Sequence, residues 1–342
     1  MHLKRKEISK DEELIDFISV NSKCIFNSPE WFRVLEEGFG SPMIGYCFYD
    51  GNKLKAILPG IIFDFKIVKI FYSNIPYGGL IGDAKVLSEY FSLLKSQFLK
   101  DKIDVFCLTK KSDDYYSLPN KYKIRSAYQH IINIQGLTSE ILWQNYKKRV
   151  RRDIRKAEKS GIIVRPIKDR TEVELMYKLY CRTMERNHSY VVWNKRIIDS
   201  IYDNFILQGK STIIFAEFKG KVIAGIILIY SEDTVYYFMN GSLSEYLTYC
   251  PNDILLHTAI NIGIEKKFRF IDLMTTYGSD KKLASFKEKW GGKRLDFFIL
   301  EKDFNFFRSF LWNLGLGLVK TPLGYKLFKL FQNITETYRK QD

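Results

Sequence analysis

The stretch Phe268–Met274, FRFIDLM, reads as a central β-strand: its apolar density is that of a strand buried on both faces, with Asp272 set among the apolar residues. It has a counterpart at Ile103–Leu108, IDVFCL. Each follows a helical stretch that starts 33 residues after an X-Gly turn, near Asp253 after Lys219-Gly220 and near Ala84 after Asp50-Gly51. Such turns between β-rich runs predict hairpins.

The order repeats upstream as well. Ile8, Lys10 and Asp11 open a helical pattern through Phe17, and a second helix is expected from Pro29 to Glu37; Ile167, Lys168 and Asp169 open a helix through Met184, followed by another from Asn194 to Leu207. A further β segment closes each unit, Tyr122–Gln135 and Arg294–Leu300. The spacing predicts a duplicated unit: helix, helix, hairpin, strand, helix, strand. The fold class is α/β (α+β), two tandem domains with mixed, mostly antiparallel central sheets and added C-terminal helices. The expected division is 1–138, 139–161 as a basic interdomain helix, 162–302, and 303–342 as C-terminal amphipathic helices.

A length of 342 residues suits two domains, and 46% hydrophobic and 15% aromatic residues can build packed cores. The five cysteines, Cys24, Cys47, Cys107, Cys181 and Cys250, form no C-x-x-C pair, which suggests neither a disulfide frame nor a zinc knuckle and fits a reducing cytoplasm. The N-terminal MHLKRKEISKDEEL lacks the apolar run of a secretory signal, and no stretch approaches the roughly 20 apolar residues of a membrane span. The C-terminal FNFFRSFLWNLGLGLVKTPLGYKLFKLFQNITETYRKQD mixes aromatic and Leu residues with cations. It reads equally as helices packed on the second domain or as a basic amphipathic pair on anionic lipid headgroups, a peripheral membrane contact.

Charge is concentrated. Of the net +15, a surplus of eight falls between Trp143 and Arg170. Within it, Gln144–Gly161, QNYKKRVRRDIRKAEKSG, places Tyr146, Val150, Ile154 and Ala157 at helical spacing while Lys148, Arg149 and Arg152 face elsewhere. The basic face calls for a polyanion: nucleic acid, a phosphorylated small molecule or a membrane surface.

Specific words narrow the fold. KKRVRRDIRKAEKSGIIV, GKVIAGIILIY, CPNDILLHTAI and FIDLMTTYGSDKKLASFKEKWGG, with IPYGGLIGD in the first unit, resemble the Fem-type family of GNAT-related transferases. In that family two GNAT-like domains sit side by side and amino acids pass from aminoacyl-tRNA to peptidoglycan precursors; relatives act as acetyltransferases in surface-sugar pathways. The long helical arm of glycine-adding members is absent, and SLSEYLTYCPND replaces the usual GNAT pyrophosphate loop. The resemblance implies an N-acyl or aminoacyl transferase acting in the cytoplasm, with aminoacyl-tRNA or acyl-CoA as donor, no permanently bound cofactor and no metal. Its acceptor would be a phosphorylated cell-envelope precursor.

Acyl transfer to an amine needs a deprotonated nucleophile, a polarised carbonyl and a protonated leaving group. Asp272, a carboxylate in an apolar strand, is a candidate base or a structural partner. Asn240 stands where a splayed GNAT strand would bind a carbonyl, with Gly241 beside it, and Tyr277 is placed to protonate a leaving group. Tyr77, Gly78 and Gly79 resemble a precursor-binding loop, and Asp83 a proton acceptor. Lys148, Arg149 and Arg152 are assigned to a diphosphate, Lys287 and Trp290 to the acceptor, and Pro251 and Asn252, with Gly241, to the donor. Two other readings stay open: an acyl-CoA-dependent N-acetyltransferase of an amino sugar or small amine, and a non-enzymatic RNA-binding protein. No H-E-x-x-H or G-x-S-x-G occurs, which leaves metal and serine-hydrolase chemistry without support.

Overall fold

The computed structural model describes residues 1–73, 75–111, 122–277 and 280–319. The first half runs β1 (His2–Glu7), α1 (Glu12–Asn21), α2 (Pro29–Phe39), β2 (Met43–Asp50), β3 (Lys53–Asp64), β4 (Lys69–Ser73), β5 (Ile81–Gly82), α3 (Lys85–Glu89), α4 (Phe91–Lys100), β6 (Val105–Lys111) and β7 (Lys123–Asn133). Two helices, α5 (Ser139–Asn145) and α6 (Lys148–Lys159), lead into β8 (Ile163–Pro166), α7 (Val173–Arg186), α8 (Lys195–Ile201), β9 (Ser211–Phe218), β10 (Lys221–Tyr230), β11 (Thr234–Ser242), α9 (Pro251–Glu265), β12 (Phe270–Tyr277), α10 (Lys281–Glu288), β13 (Lys293–Asp303) and α11 (Phe306–Val319).

Local chemistry sets these boundaries. Asp11 and Asp169, matched by the repeat, both cap: Asp11 Oδ1 accepts from Leu14 N and Asp169 Oδ1 from Thr171 N. Ser28 caps α2, with Pro29 in its first turn and Gly40 left-handed at its end. The basic segment is two helices where one continuous pattern was expected. Tyr146 is extended between them, and its hydroxyl lies 3.1 Å from His257 Nδ1. Val150, Ile154 and Ala157 are fully buried, as the helical spacing requires, and Gly161, with φ +82°, follows α6.

All thirteen strands form one sheet, ordered β1-β2-β3-β4-β6-β13-β7-β12-β11-β10-β9-β8, with β5 added beside β3. Neighbours are antiparallel except β4 with β6 and β11 with β12, the same pair in each repeat. The closing strands are exchanged. Strand β13 pairs with β6 of the first half and β7 with β12 of the second, while β13 and β7 pair with each other at the centre. A cut at 138 therefore separates β7 from the β12 and β13 it bonds to.

One face of this sheet is covered jointly by α1, α2, α7 and α8, whose core runs from Trp31 and Phe26 to Phe205 and Phe238. On the other face α3 and α4 cover the first half. There α5, α6 and α9 cover the second, so α6 links the halves in sequence yet packs on the second alone. Full burial of large side chains such as Trp31, Phe71 and Phe215 contributes roughly 1.5–3 kcal/mol each. No helix among the described residues is long and apolar enough to cross a membrane. Of the C-terminal helices expected over 303–342, residues 320–342 lie outside the described residues.

Candidate active site

The parallel pairing of β11 with β12 covers only Thr234–Tyr236 against Phe270–Asp272. Beyond it the strands part, which leaves the β12-facing edge of Tyr237–Gly241 without a strand partner among the described residues. Backbone N–H groups on such an edge are free to meet a substrate carbonyl. Asn240 is half-buried at this end of β11. At the same level β12 bulges: its register with β7 slips between Asp272 and Thr275, and Met274 adopts φ +62°.

Asp272 holds the bulge. Its Oδ1 accepts from Met274 N at 2.7 Å and from the Tyr77 hydroxyl at 3.3 Å, and its Oδ2 accepts from Gln129 Nε2 at 3.2 Å. The carboxylate is buried, so these donors replace its hydration. Tyr77 is buried too, edge-on to Phe26 and Phe297, and burial, then the Asp272 charge, hold its hydroxyl well above the usual tyrosine range. The loop that carries it is anchored by Trp31 Nε1 donating to Ile75 O and by Gly78 N donating to Thr109 Oγ1.

Lys287 enters from α10. Its ammonium donates to Met274 O at 2.9 Å and Thr275 O at 3.2 Å, and it is 6% exposed. Burial lowers its pKa to about 8, with the negative charge of Asp272 acting the other way. His130, on β7, is fully buried, and neither ring nitrogen has a hydrogen-bond partner among the described residues. Burial, then the Lys287 charge, lower its pKa, with Glu288 Oε1, 3.8 Å from Nε2, acting the other way.

A second feature lies at the start of α9. A pocket of about 610 Å³ is lined by Arg149, Arg152, Lys156, Pro251, Asn252 and Lys289, among others. Asp153 and Asp253 line it too, and Lys289 Nζ joins them: it is 3.3 Å from Asp153 Oδ2 and in direct contact with Asp253 Oδ1. The cations outnumber the carboxylates, and a helix N-terminus carries its own positive potential. The residues assigned separately to a diphosphate (Arg149, Arg152) and to the donor (Pro251, Asn252) thus share one pocket. Lys148 lies exposed on α6 and does not line it.

Other candidates stand apart. Asp83 is exposed and caps its own turn, accepting from Lys85 N. Tyr277 is 51% exposed at the end of β12. Trp290 is buried against Tyr146. Gly241 faces α7, where a Cβ would lie 2.3 Å from the Leu179 carbonyl carbon, so its missing side chain admits a helix. Sequence reasoning passed over Gln129, His130, Asp153, Asp253 and Lys289. Asp153 was findable: it sits on the docking stripe of α6, between Val150 and Ala157, where a carboxylate needs a partner. Among the described residues no cluster of His, Cys, Asp or Glu is placed to hold a metal.

Residues 144–287 match the family described as Acetyltransferase (GNAT) domain. The sequence matches no curated protein. Among solved structures the chain superimposes on FemX with TM-score 0.59 at 14% identity, covering 91% of this chain and 99% of FemX. A tandem GNAT protein from the clavulanic acid biosynthesis pathway gives TM-score 0.59 at 8% identity, over 88% of this chain and 98% of that one. The C-terminal domain of a putative lysylphosphatidylglycerol synthetase from Agrobacterium fabrum gives 0.53 at 11% identity, over 89% and 95%. The chain has the tandem GNAT fold, and the match of residues 144–287 to an acetyltransferase domain supports an acyltransferase. The non-enzymatic RNA-binding reading gives way to that finding.

Proposed function

We propose that the chain joins an acyl or aminoacyl group to an amine of a phosphorylated cell-envelope precursor, with an amide as product. The observation that carries this reading is the buried Lys287 ammonium at the β12 bulge, where β11 and β12 part. A donor carbonyl seated against the free N–H groups of β11 would develop negative charge as the amine attacks. A preorganised cation and backbone donors in a site closed to water stabilise such charge. The new C–N bond forms, the donor's C–O or C–S bond breaks, and the proton shed by the amine ends on the leaving oxygen or sulfur. Asp272 is the positioning residue in this scheme, since its bonds to Tyr77, Gln129 and Met274 N hold the loop, β7 and the bulge together.

The pocket at the start of α9 is assigned to phosphate groups of a substrate. Arg149 and Arg152 supply the planar forks suited to a diphosphate. That this pocket directly follows the splayed strand β11 favours a second reading for the donor, an acyl-CoA whose diphosphate meets the helix N-terminus.

The test is a thermal-shift and transfer assay of the purified chain with acetyl-CoA, charged tRNA and a UDP-linked muropeptide. Arg149→Ala with Arg152→Ala should abolish the shift by the phosphorylated ligand that binds and leave the apo melting temperature nearly unchanged. An unaltered shift sinks the phosphate assignment, and absence of transfer from either donor class onto the muropeptide or an amino sugar sinks the reaction.

A further inference from the structure

Helix α11 turns outward an apolar face that no other element among the described residues covers. Phe306, Phe307, Phe310, Leu311 and Leu314 recur at helical spacing and are all exposed, Phe306 by 74% and Phe310 by 54%. The helix is fixed beneath this face. Trp312 stacks on Phe65 with ring centroids 4.5 Å apart, Ser309 Oγ donates to Asp303 Oδ1 at 2.6 Å, and the Tyr190 hydroxyl donates to Leu316 O at 2.8 Å. Phe65 belongs to the β3–β4 turn, where Phe65 and Ile67 are themselves exposed and Lys66 stands between them in left-handed conformation. The turn lies under the opposite side of the helix, against Trp312, and each exposes apolar side chains with a cation beside them: Lys66 on the turn and Arg308, held by Asp104, on the helix.

Charge selects the occupant. From Phe304 to Thr335 the sequence holds Arg308, Lys320, Lys326 and Lys329 and no acidic residue, in a chain of net charge +15. A second copy of this chain would bring like charge against like. An anionic bilayer offers the complement on both counts: headgroups for the cations and hydrocarbon for the Phe and Leu side chains. We propose that the exposed apolar face of α11 docks on an anionic lipid surface.

An aromatic series links this surface to the strand splay. Phe65 neighbours Phe63 at 5.9 Å, Phe63 neighbours Phe39 at 5.1 Å, Phe39 neighbours Trp193 at 6.3 Å, and Trp193 neighbours Phe238 of β11 at 5.0 Å. Ring contacts therefore run from beneath α11 to β11. This face would meet lipid whichever donor or acceptor the chain uses.

The test is co-sedimentation of the full-length chain with phosphatidylcholine vesicles, with and without phosphatidylglycerol. The chain should pellet with the anionic vesicles, weakly with the neutral ones, and less as salt rises. Phe310→Ser with Leu314→Ser should reduce pelleting about tenfold at unchanged melting temperature. A chain that ignores both vesicles, or pelleting that survives the double substitution, overturns the proposal. So does a dimer in light scattering that the same substitutions dissolve, which would assign the face to a second copy.

Discussion

The hydroxyl of Tyr77 donates to the carboxylate of Asp272 at 3.3 Å across 195 positions of sequence, and so ties a loop of the first repeat to the central strand of the second. Neither residue opens to solvent. Loss of the hydroxyl removes one of the donors that replace water around a buried carboxylate. Tyr77→Phe should cost about 1–3 kcal/mol of unfolding free energy. Because the same carboxylate shapes the β12 bulge, kcat should fall while KM for the donor changes little. Urea denaturation and steady-state kinetics check the two halves, and a variant as stable and as fast as wild type refutes the role given to the bond.

Lys287 makes the chain's stability depend on alkaline pH. Its pKa is about 8 folded against 10.5 for an ordinary lysine, so between those values the unfolded chain binds more protons. Stability then rises with pH across that window, by up to about 3 kcal/mol, and the cost of burying the charge is fully present below about 8. The difference between wild type and Lys287→Met isolates the effect from other groups, and it should change across pH 8 to 10.5 and be flat below. Activity should fall above about pH 8 as the ammonium is lost. Activity that climbs through the same range would make Lys287 a base.

How much of this was legible follows from the range over which each signal acts. The hairpins at Gly51 and Gly220, the caps at Asp11 and Asp169 and the buried stripe of α6 are local, and the sequence carries them in full. Asp272 stood out for the same reason, a charge in an apolar strand. The exchange of β7 and β13 left no trace, because either strand fits beside β6 or β12 by its own pattern and only the assembled sheet chooses. Tyr77 was selected as a ligand-facing residue and is a core residue, since no local pattern shows that Phe26, Tyr236 and Phe297 close around it. The Lys289 bridge was invisible because Asp153 and Asp253 lie on helices whose meeting depends on the tertiary fold.

Gly241 separates a packing glycine from a substrate-binding one. A Cβ there would lie 2.4 Å from Tyr180 N and 2.7 Å from Leu179 O, all backbone of α7, which no side-chain rotation relieves. Gly241→Ala should push α7 from the sheet and cost 3 kcal/mol or more, on the order of other severe core overpacking. Circular dichroism melts should show the loss with no ligand present. If the variant melts like wild type but binds donor poorly, Gly241 serves the ligand instead.

Removal of Lys289 should destabilise the molecule in a pH-dependent way at the phosphate pocket. It is nearly buried, as are the two carboxylates it joins. Burial raises the pKa of Asp253 even with Lys289 opposing it, whereas at Asp153 the bonds from Arg152 and Lys289 outweigh burial and lower it. Lys289→Met leaves two buried carboxylates facing each other, a loss on the order of 3–5 kcal/mol at neutral pH. In the variant the folded Asp253 holds its proton more tightly than the unfolded one. Between 3.8 and that raised value the folded state binds the extra proton, so the variant recovers stability as pH falls toward about 4. Asp253 is raised in wild type too, so both forms gain on that descent, the variant more because Lys289 no longer favours the charged carboxylate, and wild type loses what Asp153 contributes only below 3.8. The two melting curves should converge with acid, and a gap that stays constant from pH 7 to pH 4 would show that Lys289 acts through packing on Phe286 and Trp290, not through charge.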